Sequence, residues 1–208
     1  MPNINRRQFI VAASAAPLLL WLPTNAEAAA TIHELEGSVY INNRTATTHT
    51  KIRAGDKIVV AHGGNLVVSI GGDAYLLHGG TALEIGRMKN GLISGLRLLT
   101  GALLAVFAKR HQATTHLVTS TATIGIRGTA VYMNAEPHKL YTCTCYGHTD
   151  LRFGDHNEDI VSTHHLANEI ADDGTGQMAM HSMEVIGHTD DELRMLEALV
   201  GRKPPFDA

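Results

Sequence analysis

Two cysteines stand one residue apart, in Tyr141-Thr142-Cys143-Thr144-Cys145-Tyr146-Gly147, and they are the only cysteines in 208 residues. The segment reads as extended chain. Residues two apart on a strand face the same side, so both sulfurs point together. Two thiolates on one face suit a soft metal ion. A disulfide fits poorly, because Cβ atoms of an extended Cys-x-Cys pair lie too far apart for S–S geometry. The chain also holds 13 histidines, and several follow Tyr141. His164 and His165 are the next ligand candidates, with His181 or His188 in reserve and Met178, Met180 and Met183 nearby. Neighbouring strand residues point to opposite sides, so one of His164 and His165 is expected to ligate. Two sulfurs and two imidazoles make a tetrahedral zinc site, and the same donors suit copper or an iron–sulfur centre. Against this, cysteine is among the most buried residue types and often only packs. The other histidines, such as His33, His62 and His138, show no ligand spacing.

Residues 37–153 break into short β segments separated by glycine or asparagine. Gly-Gly steps recur every eight residues, at 63, 71 and 79, and Asn90-Gly91 marks a hairpin turn. The spacing predicts a mainly β fold, either a β-solenoid of stacked turns or a sandwich. Residues 154–159 read as a polar loop, and residues 163–170 as a strand with a helical turn. The clearest helix covers residues 189–200. Thr189 and Glu192 form a capping box, and Asp190 and Asp191 suit the positive end of the helix dipole. Leu193, Leu196, Leu199 and Val200 make one apolar stripe, and Gly201 ends it. This helix is expected to dock on the β body.

Residues 1–30 have the layout of an export signal. Arg6-Arg7 precedes a short apolar run containing Leu18-Leu19-Leu20-Trp21, and Ala26-Glu27-Ala28-Ala29-Ala30 offers cleavage after Ala28 or Ala30. The run is too short to span a bilayer comfortably, and Pro17 and Pro23 interrupt it. The paired arginines resemble a twin-arginine signal, although Asn5 and Val11 depart from the usual pattern. The expectation is a periplasmic or secreted protein with no membrane span once the signal is removed. A formal net charge of −3 and the lack of a basic stripe argue against a nucleic-acid partner. No nucleophile elbow, phosphate loop, dinucleotide fingerprint or His-Glu-x-x-His occurs, so no enzyme activity is expected.

An ordered set of pieces resembles the FecR domain, the periplasmic part of ferric-citrate-type regulators. They are Gly37-Ser38-Val39, Ile52-Arg53-Ala54-Gly55-Asp56-Lys57-Ile58, Leu66-Val67-Val68-Ser69-Ile70-Gly71-Gly72-Asp73, Leu98-Leu99-Thr100-Gly101-Ala102-Leu103 and Ile126-Arg127-Gly128-Thr129-Ala130-Val131. Gly128 supplies a bend, and Arg127 and Gly128 read as structural rather than catalytic. The family's regulators carry a cytoplasmic segment that controls a sigma factor, and here an export signal takes that place. The resemblance therefore implies the fold and an envelope binding role more than the signalling role. The organisation expected is a signal at 1–30, a FecR-like β domain at 31–153 and a His-containing extension at 154–208. Two functions compete. One is a non-enzymatic module that binds a transition metal through Cys143, Cys145 and His164 or His165. The other is a metal-free module for an envelope protein partner, related to iron-uptake regulators, with the cysteines only packed.

Overall fold

The computed structural model describes residues 30–86, 88–89, 92–109 and 114–208. The signal read at 1–30 (all but its last residue) and the Asn90-Gly91 turn lie outside them. The strands are β1 (Ala30–Glu36), β2 (Val39–Ile41), β3 (Arg44–Thr45), β4 (Lys57–Val60), β5 (Asn65–Ile70) and β6 (Asp73–His78). Then come β7 (Ala82–Ile85), β8 (Met88–Lys89), β9 (Leu92–Ile93), β10 (Gly95–Val106), β11 (Thr115–Val118) and β12 (Thr123–Ile126). The last are β13 (Ala130–Glu136), β14 (Lys139–Phe153), β15 (His156–Ser162), β16 (Leu166–Asp172) and β17 (Met178–Met183), followed by helix α1 (Asp190–Leu199).

Two sheets face each other. The first runs β1-β5-β6-β10-β13-β14-β16-β17, and the second β3-β2-β4-β7-β10-β11-β12-β14-β15. The long strands β10 and β14 belong to both. As a result β10, β13, β14, β12 and β11 close into a small barrel, and the remaining strands extend the sheets outward. Of the two architectures anticipated, this is a sandwich fused along one side into a barrel. A solenoid stacks parallel strands, whereas here β10–β11 is the one parallel pairing among the described strands. Of the Gly-Gly steps, Gly71-Gly72 turns between the antiparallel strands β5 and β6, while those at 63 and 79 carry the chain from one sheet to the other. Ile58, Leu66, Val68, Leu83, Leu98, Leu103, Leu117, Ile124 and Leu140 fill the space between the sheets.

The shared strands turn from one sheet to the other at glycines. In β10 the corner is Gly101, with φ +85°, and in β14 it is Gly147, with φ +94°. Each corner is gripped by one buried threonine. Thr81 Oγ1 accepts from Ala102 N–H at 3.0 Å and donates to Ala102 C=O at 2.9 Å. Thr129 does the same at His148, accepting its N–H at 2.6 Å and donating to its C=O at 2.9 Å. Both threonines follow a glycine in the left-handed region, Gly80 and Gly128. Gly128, read from sequence as a bend, thus precedes the threonine of one of two equivalent corner clamps. The Arg127 side chain is exposed.

Residues beyond 154 continue the same sheets. The loop expected at 154–159 shrinks to the turn Gly154-Asp155, because His156 to Ser162 pairs along the second half of β14. In place of a strand with a helical turn, residues 163–165 make a turn and β16 follows. Helix α1 forms as anticipated. Thr189 Oγ1 accepts from Glu192 N–H at 3.2 Å, and Glu192 Oε2 accepts from Thr189 N–H at 2.8 Å. Leu193 and Leu196 are buried against Val67, Leu76 and Leu104 on the outer face of the first sheet. Each contributes about 2 kcal/mol of burial. Among the described residues no helix is long and apolar enough to cross a membrane.

The corners make a quantitative expectation. A Cβ at Gly147 would lie 2.3 Å from Thr129 Oγ1, while one at Gly174, with φ +87°, would meet nothing within 4 Å. Gly174→Ala should cost about 1 kcal/mol, from the backbone conformation alone. Gly147→Ala should cost about 3 kcal/mol, since crowding adds to that strain. Urea unfolding of both variants measures the difference; equal losses would mean that the corner is not tightly clamped.

Candidate metal centre

Strand β14 alternates Tyr141, Cys143 and Cys145 onto the outer face of the first sheet. Both cysteines are fully buried. Directly after Cys145 the strand corners at Gly147. The chain returning from β15 must therefore cross this corner to reach β16, which pairs with the first half of β14. The crossing is Thr163-His164-His165. His165 adopts φ +50° and donates its backbone N–H to Cys145 C=O at 2.8 Å. Its ring is thereby laid beside the two sulfurs.

His188 arrives from the segment between β17 and α1. The Tyr141 hydroxyl fixes that segment, donating to Glu184 C=O at 2.9 Å and accepting from Ile186 N–H at 3.0 Å. Gly187, at φ +80°, lets the chain pass over Tyr132, whose hydroxyl would lie 2.3 Å from any Cβ there. The His188 ring then stacks on Tyr132, with centroids 4.6 Å apart and planes 14° apart.

The donor atoms converge. Cys143 Sγ lies 3.6 Å from His165 Nδ1, Cys145 Sγ lies 3.3 Å from His188 Nε2, and the two ring nitrogens are 3.2 Å apart. All four atoms lie within 4.8 Å of one another. Zinc bonds of about 2.3 Å to sulfur and about 2.05 Å to nitrogen imply tetrahedron edges of about 3.6 Å for N–S and about 3.3 Å for N–N. The Cys143–His165 edge and the N–N edge match these, and the Cys145–His188 edge of 3.3 Å is slightly short.

The outer nitrogens of both rings are committed. His188 Nδ1 sits 3.1 Å from Ile186 C=O, which can only accept, so this nitrogen carries the proton. His165 Nε2 donates to Asp190 Oδ1 at 2.8 Å. In the neutral rings the remaining nitrogens then turn lone pairs toward each other across 3.2 Å. A shared cation relieves that repulsion, and a carboxylate or carbonyl behind each ligating imidazole is the usual supporting arrangement. Burial works against the Asp190 carboxylate, but hydrogen bonds from His165 and His164 outweigh it and hold it below its ordinary value.

The two thiols differ. A hydrogen bond from Cys145 pulls Cys143 down to about 5 against the effect of burial. Burial, reinforced by the neighbouring Cys143, pushes Cys145 well above the ordinary thiol value. The centre thus holds one thiolate before any ion arrives, and an ion supplies the charge that ionises the second.

The candidates named from sequence separate clearly. Cys143, Cys145 and His165 converge, and the reserve residue His188 completes the four. His164 is exposed and turns to the Asp190 carboxylate, 3.0 and 3.1 Å from its oxygens. His164, His165 and Asp190 form a second, more open group. His181 is exposed on β17, opposite Glu169. Met178 and Met180 pack toward the core, while Met183 is exposed. Asp190, Tyr132 and Tyr141 escaped sequence reasoning. Asp190 looked like a dipole-complementing residue, and its only hint was its place two residues after His188.

The fold resembles that of two crystal structures of a candidate anti-sigma factor from Parabacteroides distasonis. Each superposes with a TM-score of 0.51 at 13% identity over 62% of this chain. The chain covers 60% of that protein's length. No family model and no curated protein matches the chain.

The thiol asymmetry is measurable in metal-stripped protein. The folded-state value of Cys143 lies below its unfolded value of 9.0, so the stability its thiolate adds is complete above the unfolded value and is lost as pH falls through about 5. Thiolate absorbance should show one equivalent at neutral pH, disappearing near pH 5. Cys145→Ala should move that titration upward, because it removes the largest stabilising hydrogen bond. Two thiols that both remain neutral at neutral pH would contradict this account.

Proposed function

We propose that this chain is an exported, non-enzymatic FecR-like module that binds one transition-metal ion through Cys143, Cys145, His165 and His188. The observation that carries the reading is the pair of imidazole nitrogens 3.2 Å apart, with their other nitrogens already bound, beside two buried sulfurs. Zinc fits best. Four donors within 4.8 Å of one another suit a single ion, and a two-iron cluster needs its two ligand pairs held further apart. Four protein donors leave no open position for substrate, which favours a structural or regulatory ion over a catalytic one.

Such an ion would join three stretches of chain: strand β14, the β15–β16 crossing and the segment leading into α1. It would staple the C-terminal helix to the body. Metal ligation also suits a pair of free thiols in an oxidising envelope, where the Arg6-Arg7 signal reading would send the protein. The FecR resemblance and the likeness to a candidate anti-sigma factor support a second element of the proposal, that the β body binds an envelope protein.

Metal analysis of protein purified from the envelope tests the centre. One equivalent of zinc is expected, and it should be lost in the Cys143→Ser, Cys145→Ser double variant. Asp190→Asn should retain the ion but weaken binding by about 10- to 100-fold in a chelator competition, since it removes only the support behind His165. Wild-type protein that carries no metal and takes up none would overturn the metal reading and leave the metal-free interaction module.

A further inference from the structure

A second feature lies on the far side of the Gly147 corner and plays no part in the metal centre. There the C-terminal segment folds back over the barrel and leaves a cleft of about 740 Å³. That is the size of a site for a small organic molecule. Phe107, Tyr146 and Phe206 give it an apolar wall, and the exposed lysines Lys109 and Lys203 stand at its rim. Among the described residues neither ammonium has a carboxylate partner within salt-bridge distance.

The charges inside are arranged unevenly. Glu197 is buried and already satisfied by the Tyr146 hydroxyl and by Arg202 Nε. Arg202 Nη1 donates to Gly72 C=O at 2.6 Å. Arg202 Nη2 is shielded from solvent and has no hydrogen-bond partner among the described residues. Nearby Asp207 does not cancel the lysines, because Arg194 grips both of its oxygens at 2.7 and 2.8 Å. Asp190 is likewise engaged by His164 and His165. The cleft therefore presents an apolar wall and unspent positive charge at its mouth.

We propose that this cleft binds a small amphipathic anion, an apolar or aromatic body carrying one carboxylate-like head. The body lies against Phe107, Tyr146 and Phe206. The head faces Lys109 and Lys203. The site does not depend on the metal reading, since none of the four metal donors lines it.

Two fluorescent probes test it on the purified full chain: anilinonaphthalene sulfonate, and phenylnaphthylamine, which has the same aromatic body without the sulfonate. The sulfonate should bind saturably at one site per chain. Lys109→Gln with Lys203→Gln should weaken it about tenfold and leave the neutral probe unchanged. Thr163→Trp, an exposed mouth position, should abolish saturable binding of both while thermal unfolding stays as in wild type. Sulfonate binding that never saturates, or that survives both sets of substitutions, would overturn the proposal. So would an equal loss of both probes in the lysine variant, because charge would then not be what the site reads.

Discussion

A strand that serves two sheets must turn its backbone without leaving amide groups unpaired, and this fold solves that problem twice in the same way. Gly101 and Gly147 take a left-handed conformation that side chains resist, and Thr81 and Thr129 satisfy both amide groups of the residue that follows each glycine. The glycines and threonines are matched in shape, because a Cβ on either corner glycine would collide with its threonine. Barrel closure depends on both clamps. If either strand ran straight, the ring β10-β13-β14-β12-β11 would open.

The candidate metal centre is a consequence of the second corner. Cys143 and Cys145 occupy the last turns of β14 before it leaves the first sheet. The crossing between β15 and β16 has to pass there, since its two strands pair with opposite halves of β14. That topology, rather than any local preference, brings His165 to the sulfurs. The fourth donor depends on a different constraint. Tyr141 lies on the same face as the cysteines and holds the backbone that delivers His188. One strand therefore supplies two donors and also the anchor for another.

The surroundings sharpen the chemistry. The outer face of the first sheet is apolar where Leu193 and Leu196 cover it, and the centre lies at the end of that covered area, beside the N-terminus of α1. Burial raises Cys145, whereas the hydrogen bond that Cys145 gives lowers Cys143, and so the two thiols separate. Asp190, as the first residue of the helix, ties α1 to both His164 and His165. Capping, docking and support of the centre thus meet within two consecutive residues, Thr189 and Asp190.

Local signals determined a good deal of this protein. Period-two alternation marked Cys143 and Cys145 as facing one way, because strand geometry needs no tertiary information. The capping box and leucine stripe placed α1, since helix ends are decided within a few residues. Glycine pairs marked turns, but not whether the chain stacked in parallel or folded back antiparallel, and so a solenoid remained as plausible as a sandwich. Other choices belonged to the tertiary structure alone. His164 and His165 are adjacent in sequence, and the positive φ at His165 selects the one whose ring meets the sulfurs. His181 and His188 were equivalent as donors on paper. Strand β17 leaves His181 exposed, whereas Tyr141, Gly187 and Tyr132 carry His188 inward. Tyr132 and Tyr141 come from strands about fifty residues earlier, and no short-range pattern records contacts over that distance.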